Sequence, residues 1–126
     1  MPGPLHLLVA DDQPFALAGL RRLLHPHASH LFCTDSTKSL HRLLAQQPIN
    51  LLILGFLSSA SRFAGISLLQ AIHRERPALA VVLRSSVNEP HLQVCARALG
   101  AQGYLAAEAQ PEEILEAIRM VARGGT

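Results

Sequence analysis

Two adjacent carboxylates, Asp11 and Asp12, follow an apolar run and precede Gln13-Pro14. Paired acids at such a junction suit a hard divalent cation such as Mg²⁺, or hold one carboxyl protonated. A plainer role is also open, because one Asp, Asp12, can cap the helix that Pro14 starts. Capping accounts for one acid; the second gains nothing from it and feels its neighbour's charge. No Asp follows Asp35, and Lys38 is the only Lys. The pair also sorts cofactors. Flavin or nucleotide phosphates need a turn rich in Gly, Ser or Thr with free N–H groups, and carboxylates repel them. Neither GxGxxG nor GxxxxGK followed by Ser or Thr occurs, so a flavodoxin or a nucleotide-binding enzyme is not expected. His25, His27 and His30 have a spacing that a metal could use, but three His around Pro26 read better as exposed loop residues. His6, His41, His73 and His91 have no partner legible from sequence. Cys33 and Cys95 lie in apolar surroundings and are expected to be small buried hydrophobes, not a disulfide.

The elements that hold these residues alternate along the chain. Leu5–Ala10 reads as a strand, and Pro14 opens a helix that carries Phe15, Leu17, Leu20, Leu23 and Leu24 as far as His25-Pro26. A weaker strand covers His30–Thr34, and Ser36 or Thr37 starts a helix stopped by Pro48. Asn50–Leu54 is a continuous apolar run, hence a strand covered on both faces. A loop over Gly55–Phe63 leads to a helix ended by Pro77, then a strand over Leu79–Leu83. Asn88 and Pro90 start a helix that ends at Gly100, Gln102–Leu105 is the fifth strand, and Pro111 opens the last helix. Five strand–helix units in succession call for a doubly wound α/β fold, a five-stranded parallel sheet with five helices on its two faces. Ligands bind such a sheet beyond the carboxyl ends of its strands. The positions there are Asp11-Asp12, Gly55 to Leu57, Arg84 to Ser86 and Ala106-Ala107.

Composition agrees with one domain over residues 1–126, its core about 5–123, with 49% apolar and 16% charged residues. Disorder is excluded on that balance. No apolar run reaches the ~20 residues of a membrane span. The N-terminus has no secretion signal, and a cytoplasmic location is expected. A net charge of +2 is too small and scattered for direct nucleic-acid binding.

From about residue 5 to residue 125 the chain resembles the receiver domain of bacterial response regulators, of the type that precedes a LuxR-type DNA-binding domain. The likeness rests on Leu7–Pro14, Gly65–Leu69, Ala98–Leu105 and Pro111–Ile118. It implies strand order 2-1-3-4-5 and a phosphorelay chemistry. In that family an Asp at the end of the third strand takes a phosphoryl group from a histidine kinase. An acid pair binds Mg²⁺, a Lys after the fifth strand contacts the phosphate, and a Thr or Ser after the fourth senses it. Asp11 and Asp12 match the acid pair, Ser85 the hydroxyl, and Tyr104 the aromatic switch residue. The acceptor position, however, is Gly55 and the Lys position is Ala107, and no Asp follows Asp35 to replace the nucleophile. The resemblance therefore implies a degenerate receiver, a pseudo-receiver with no catalytic residue and no required cofactor, in which Asp11 and Asp12 form at most a weak Mg²⁺ site.

Loss of the Lys leaves the acid pair without a cation. Two carboxylates ~4 Å apart repel by roughly 1 kcal/mol in water and several-fold more where partly buried. Arg84, where the family usually has an apolar residue, or Arg62 from the long loop is expected to substitute for the missing cation. The competing reading leaves Arg84 solvated, since strand alternation points it away from Ser85. Two functions stay in contention. One is a phosphorylation-independent regulatory module that homodimerises, with its DNA-binding domain in the same longer chain or in another regulator. The other is a small-ligand sensor that uses a cleft enlarged by Gly55 and Ala107. Gly124-Gly125-Thr126 is expected to begin a linker, with more chain beyond.

Overall fold

The structure is a computed structural model that describes residues 4–55, 64–85 and 90–124. Five parallel strands form one sheet in the order β2-β1-β3-β4-β5. They are β1 (His6–Ala10), β2 (His30–Thr34), β3 (Leu51–Leu54), β4 (Ala80–Ser85) and β5 (Gly103–Ala106). Between and after them run α1 (Pro14–Leu24), α2 (Thr37–Gln46), α3 (Ala64–Glu75), α4 (Pro90–Ala98) and α5 (Pro111–Ala122). A single 3₁₀ turn, His25–His27, follows α1. The expected fold class and strand order are those observed.

Strand alternation splits the core into two layers. Leu7 and Val9 of β1, Leu51 and Ile53 of β3 and Val82 of β4 pack against Leu20 and Leu24 of α1 and Ile114, Ile118 and Val121 of α5. Leu8, Leu52, Leu54, Val81 and Leu83 face the other way, toward Leu40 and Leu44 of α2, Leu69 and Ile72 of α3 and Ala96 of α4. All four residues of β3 are buried because helices cover both of its faces. β2 lies at the sheet edge and is half-exposed, which explains its weak apolar pattern.

Local chemistry sets the ends of the elements. Ser36 Oγ accepts from Ser39 N–H at 3.2 Å and caps α2. The Gln110 N–H donates to Glu113 Oε1 at 3.2 Å at the start of α5. Gly100 takes φ +112° after α4, a left-handed backbone that favours glycine. Three expectations need correction. Asp12 does not cap α1; Gln13 stands at that position, and Asp11 Oδ1 accepts its N–H at 2.9 Å. Cys95 is exposed on α4, and Cys33 is only half-buried, because it packs against the α1/α5 layer from the edge strand β2. β4 runs on past Leu83 to Ser85, so Arg84 is a strand residue. Among the described residues no helix is long and apolar enough to cross a membrane.

Candidate functional site

The carboxyl ends of β1, β3, β4 and β5 bring Asp11, Gly55, Arg84 and Ala107 together. Asp11 directly follows β1, and its backbone N–H is held by Thr34 O at 3.0 Å. Counting along β1, Asp11 falls on the same side of the sheet as Leu7 and Val9; counting along β4, Arg84 falls there with Ala80 and Val82. Both side chains therefore leave the sheet on the α1/α5 face. Arg84 Nη1 donates to Asp11 Oδ2 at 2.7 Å, and its Nη2 donates to the Ala107 carbonyl at 3.2 Å. Asp11 is fully buried and Arg84 is 9% exposed, so this ion pair is shielded from water.

Gly55 makes the pairing sterically feasible. It follows β3, the strand between β1 and β4. Its N–H donates to Ala10 O at 2.7 Å. A Cβ at this position would stand 2.3 Å from Asp11 Oδ2 and 2.9 Å from Asp11 Cγ. Those are clashes, and they fall on the oxygen that Arg84 holds. Any side chain here would push the Asp11 carboxylate out of the bridge.

The two acids thus part company. Asp11 Oδ1 accepts from Gln13 N–H and Oδ2 from Arg84, whereas Asp12 is half-exposed. Asp12 lines a groove of about 260 Å³ with Leu17, Arg21, Cys33 and Asp35. Burial pushes the Cys33 thiol pKa up, and the nearby Arg21 charge offsets part of that rise. A Mg²⁺ ion demands oxygen ligands at ~2.0–2.1 Å in octahedral array. It could reach Asp11 Oδ2 only by displacing the guanidinium, so that oxygen as arranged does not fit a bound Mg²⁺.

Ser85 and Tyr104 occupy the other face of the sheet. Tyr104 pairs in register with Leu83 and packs, half-buried, against the α2/α3/α4 layer. Ser85 is buried, and its carbonyl accepts from the Ala107 N–H at 2.8 Å. Of the two arginines considered for the acid pair, Arg84 makes the contact, and with Asp11 only. Arg62 lies outside the described residues. The Ala107 carbonyl and the Gln13 N–H have no signal in the sequence, since any residue but proline supplies both groups. The need for glycine at position 55 was legible only as a missing Asp; its steric reason comes from Asp11.

Comparison with known proteins places this geometry in a family. The methanol utilization control regulatory protein MoxX of Paracoccus denitrificans is 28% identical over 123 residues, 97% of this chain and 55% of that protein. The chain thus spans about half the length of the curated relative it matches. The signal receiver domain of an HD domain-containing protein from Pseudomonas fluorescens superposes with TM-score 0.85 at 25% identity, over 97% of both chains. A LuxR-family two-component response regulator from an Aurantimonas species gives TM-score 0.84 at 19% identity, over 98% of this chain and 88% of that one, a likeness of fold alone. The pattern of the response regulator receiver domain matches residues 7–119, nearly all of the sheet and helices just described, and the chain belongs to that family.

Proposed function

We propose that this receiver domain works without phosphoryl transfer, as a pseudo-receiver in two-component-type signalling. Its role is that of the N-terminal regulatory and dimerisation module of a cytoplasmic LuxR-type transcription regulator. The DNA-binding domain belongs to the same longer chain or to another regulator, and this domain itself touches no nucleic acid and catalyses no reaction. The observation that carries the reading is the Arg84 guanidinium, 2.7 Å from Asp11 Oδ2 beside a Gly55 that has no side chain. One fixed internal cation stands where the family's chemistry needs an exchangeable one. The LuxR-family likeness and the regulatory relative support the transcriptional setting. Arg84, lying from Asp11 to the Ala107 carbonyl, also takes up room that a ligand between Gly55 and Ala107 would need. Regulation through partner contact is therefore favoured over ligand sensing in that cleft.

The test is intact mass spectrometry after incubation with Mg²⁺ and acetyl phosphate. The expected result is an unchanged mass. An added phosphoryl group that hydroxylamine removes is an acyl phosphate and overturns the reading.

A further inference from the structure

At the opposite end of the sheet, β1 and β2 begin on histidines that face each other. His6 and His30 are paired in register, their ring centroids are 4.9 Å apart and their planes differ by 11°. The two Nδ1 atoms are 3.1 Å apart. We propose that His6 and His30 form a two-imidazole chelate for a borderline transition dication such as Zn²⁺, a site independent of the reading given above.

The chemistry and the framework agree. Imidazole nitrogen suits Zn²⁺, Cu²⁺ and Ni²⁺ and does not suit Mg²⁺ or Ca²⁺. A metal held at ~2.0–2.1 Å from both Nδ1 atoms 3.1 Å apart would see them at about 95–102°. That angle lies between the octahedral and tetrahedral values. Little backbone reorganisation is required. The His6 N–H donates to Asn50 Oδ1 at 2.9 Å and its carbonyl accepts from Asn50 N–H at 3.0 Å. The His30 N–H is held by the Leu5 carbonyl at 3.3 Å. At 3.1 Å the two Nδ1 atoms are within hydrogen-bond reach, with whichever ring carries Nδ1–H as the donor. On binding, the donor ring moves that proton to its own Nε2 through solvent, and both Nδ1 lone pairs turn to the metal. A neutral pair thus binds with no net proton released. Among the described residues no third His, Cys, Asp or Glu completes a cluster. His30 is exposed, so water fills the remaining positions and the site stays open.

Zn²⁺ titrated calorimetrically into the 126-residue chain tests the assignment. One Zn²⁺ per chain is expected. His6→Gln and His30→Gln should each weaken it by at least the ~10-fold that loss of even an outer-shell partner costs. The double variant His25→Gln/His27→Gln, in the adjacent turn, should bind as the parent does. Unchanged thermal midpoints without metal confirm that the variants are folded. Electron paramagnetic resonance with Cu²⁺ should show two coordinated nitrogens in the parent and one in His30→Gln. No bound Zn²⁺, or affinity retained in His30→Gln, overturns the proposal.

Discussion

Replacing Arg84 by Met removes the guanidinium and leaves a stem of similar length in the α1/α5 layer. Asp11, fully buried, then loses the Arg84 guanidinium and keeps, among its bonds, the one from the Gln13 N–H. Removing one partner of a buried pair costs about 3–5 kcal/mol, because the remaining charge is stranded away from water. The retained N–H bond places Arg84→Met at the lower end, about 3 kcal/mol. For a chain of this length each kcal/mol moves the thermal midpoint by about 3–5 °C, so a fall of about 10–15 °C is expected. Urea unfolding followed by far-ultraviolet circular dichroism should report the same loss with an unchanged slope. Adding Asp11→Asn to Arg84→Met removes the stranded charge and should recover about 1 kcal/mol or more. A loss under about 1 kcal/mol, typical of an exposed pair, refutes the reasoning. So does a double variant no more stable than Arg84→Met.

Gly55→Ala should destabilise by about 1–3 kcal/mol, since the new Cβ drives the Asp11 carboxylate off Arg84; an equal thermal midpoint for both proteins would contradict the steric account. Gly100→Ala should cost more than the ~1 kcal/mol of a left-handed alanine alone, because its Cβ would also meet His73 Cγ at 2.4 Å; urea titration reads this out. Iodoacetamide should label exposed Cys95 well before half-buried Cys33, as peptide mass mapping over time can follow. The raised Cys33 pKa means that the native state holds its thiol proton more tightly than the unfolded chain does. Its contribution to stability is therefore complete below the ordinary thiol range and lost as pH rises through the folded value. Cys33→Ala should flatten that alkaline loss in urea titrations across pH.

The sheet was legible because its signals are local: Leu51–Leu54 is short, apolar and flanked by Pro48 and Gly55, as a covered strand is, and prolines and Gly100 punctuate the helices. The site was legible as a set of missing groups, with Gly55 and Ala107 where the family's motif carries Asp and Lys. What could not be read was the direction of Arg84. The fourth strand runs further than its apolar run, so alternation carries Arg84 to the Asp11 face. Nor does anything in sequence reveal that Asp11 and Asp12, neighbours in the chain, enter such different surroundings. The histidines show the same limit. Proximity in sequence grouped His30 with His25 and His27, whereas the parallel ladder sets it against His6, 24 residues away.

The fit of Gly55 beside the Asp11–Arg84 bridge makes positions 55 and 84 depend on one another. A carboxylate introduced at position 55 while Arg84 remains would crowd Asp11 out of its bridge. Removal of Arg84 while Gly55 remains would take from the buried Asp11 its bond to the guanidinium. Each of these single changes is thus harmful by itself, and both act through the same Asp11 carboxylate. Gly55 and Arg84, 29 positions apart in the chain, are thus bound to one another through a carboxylate that belongs to neither.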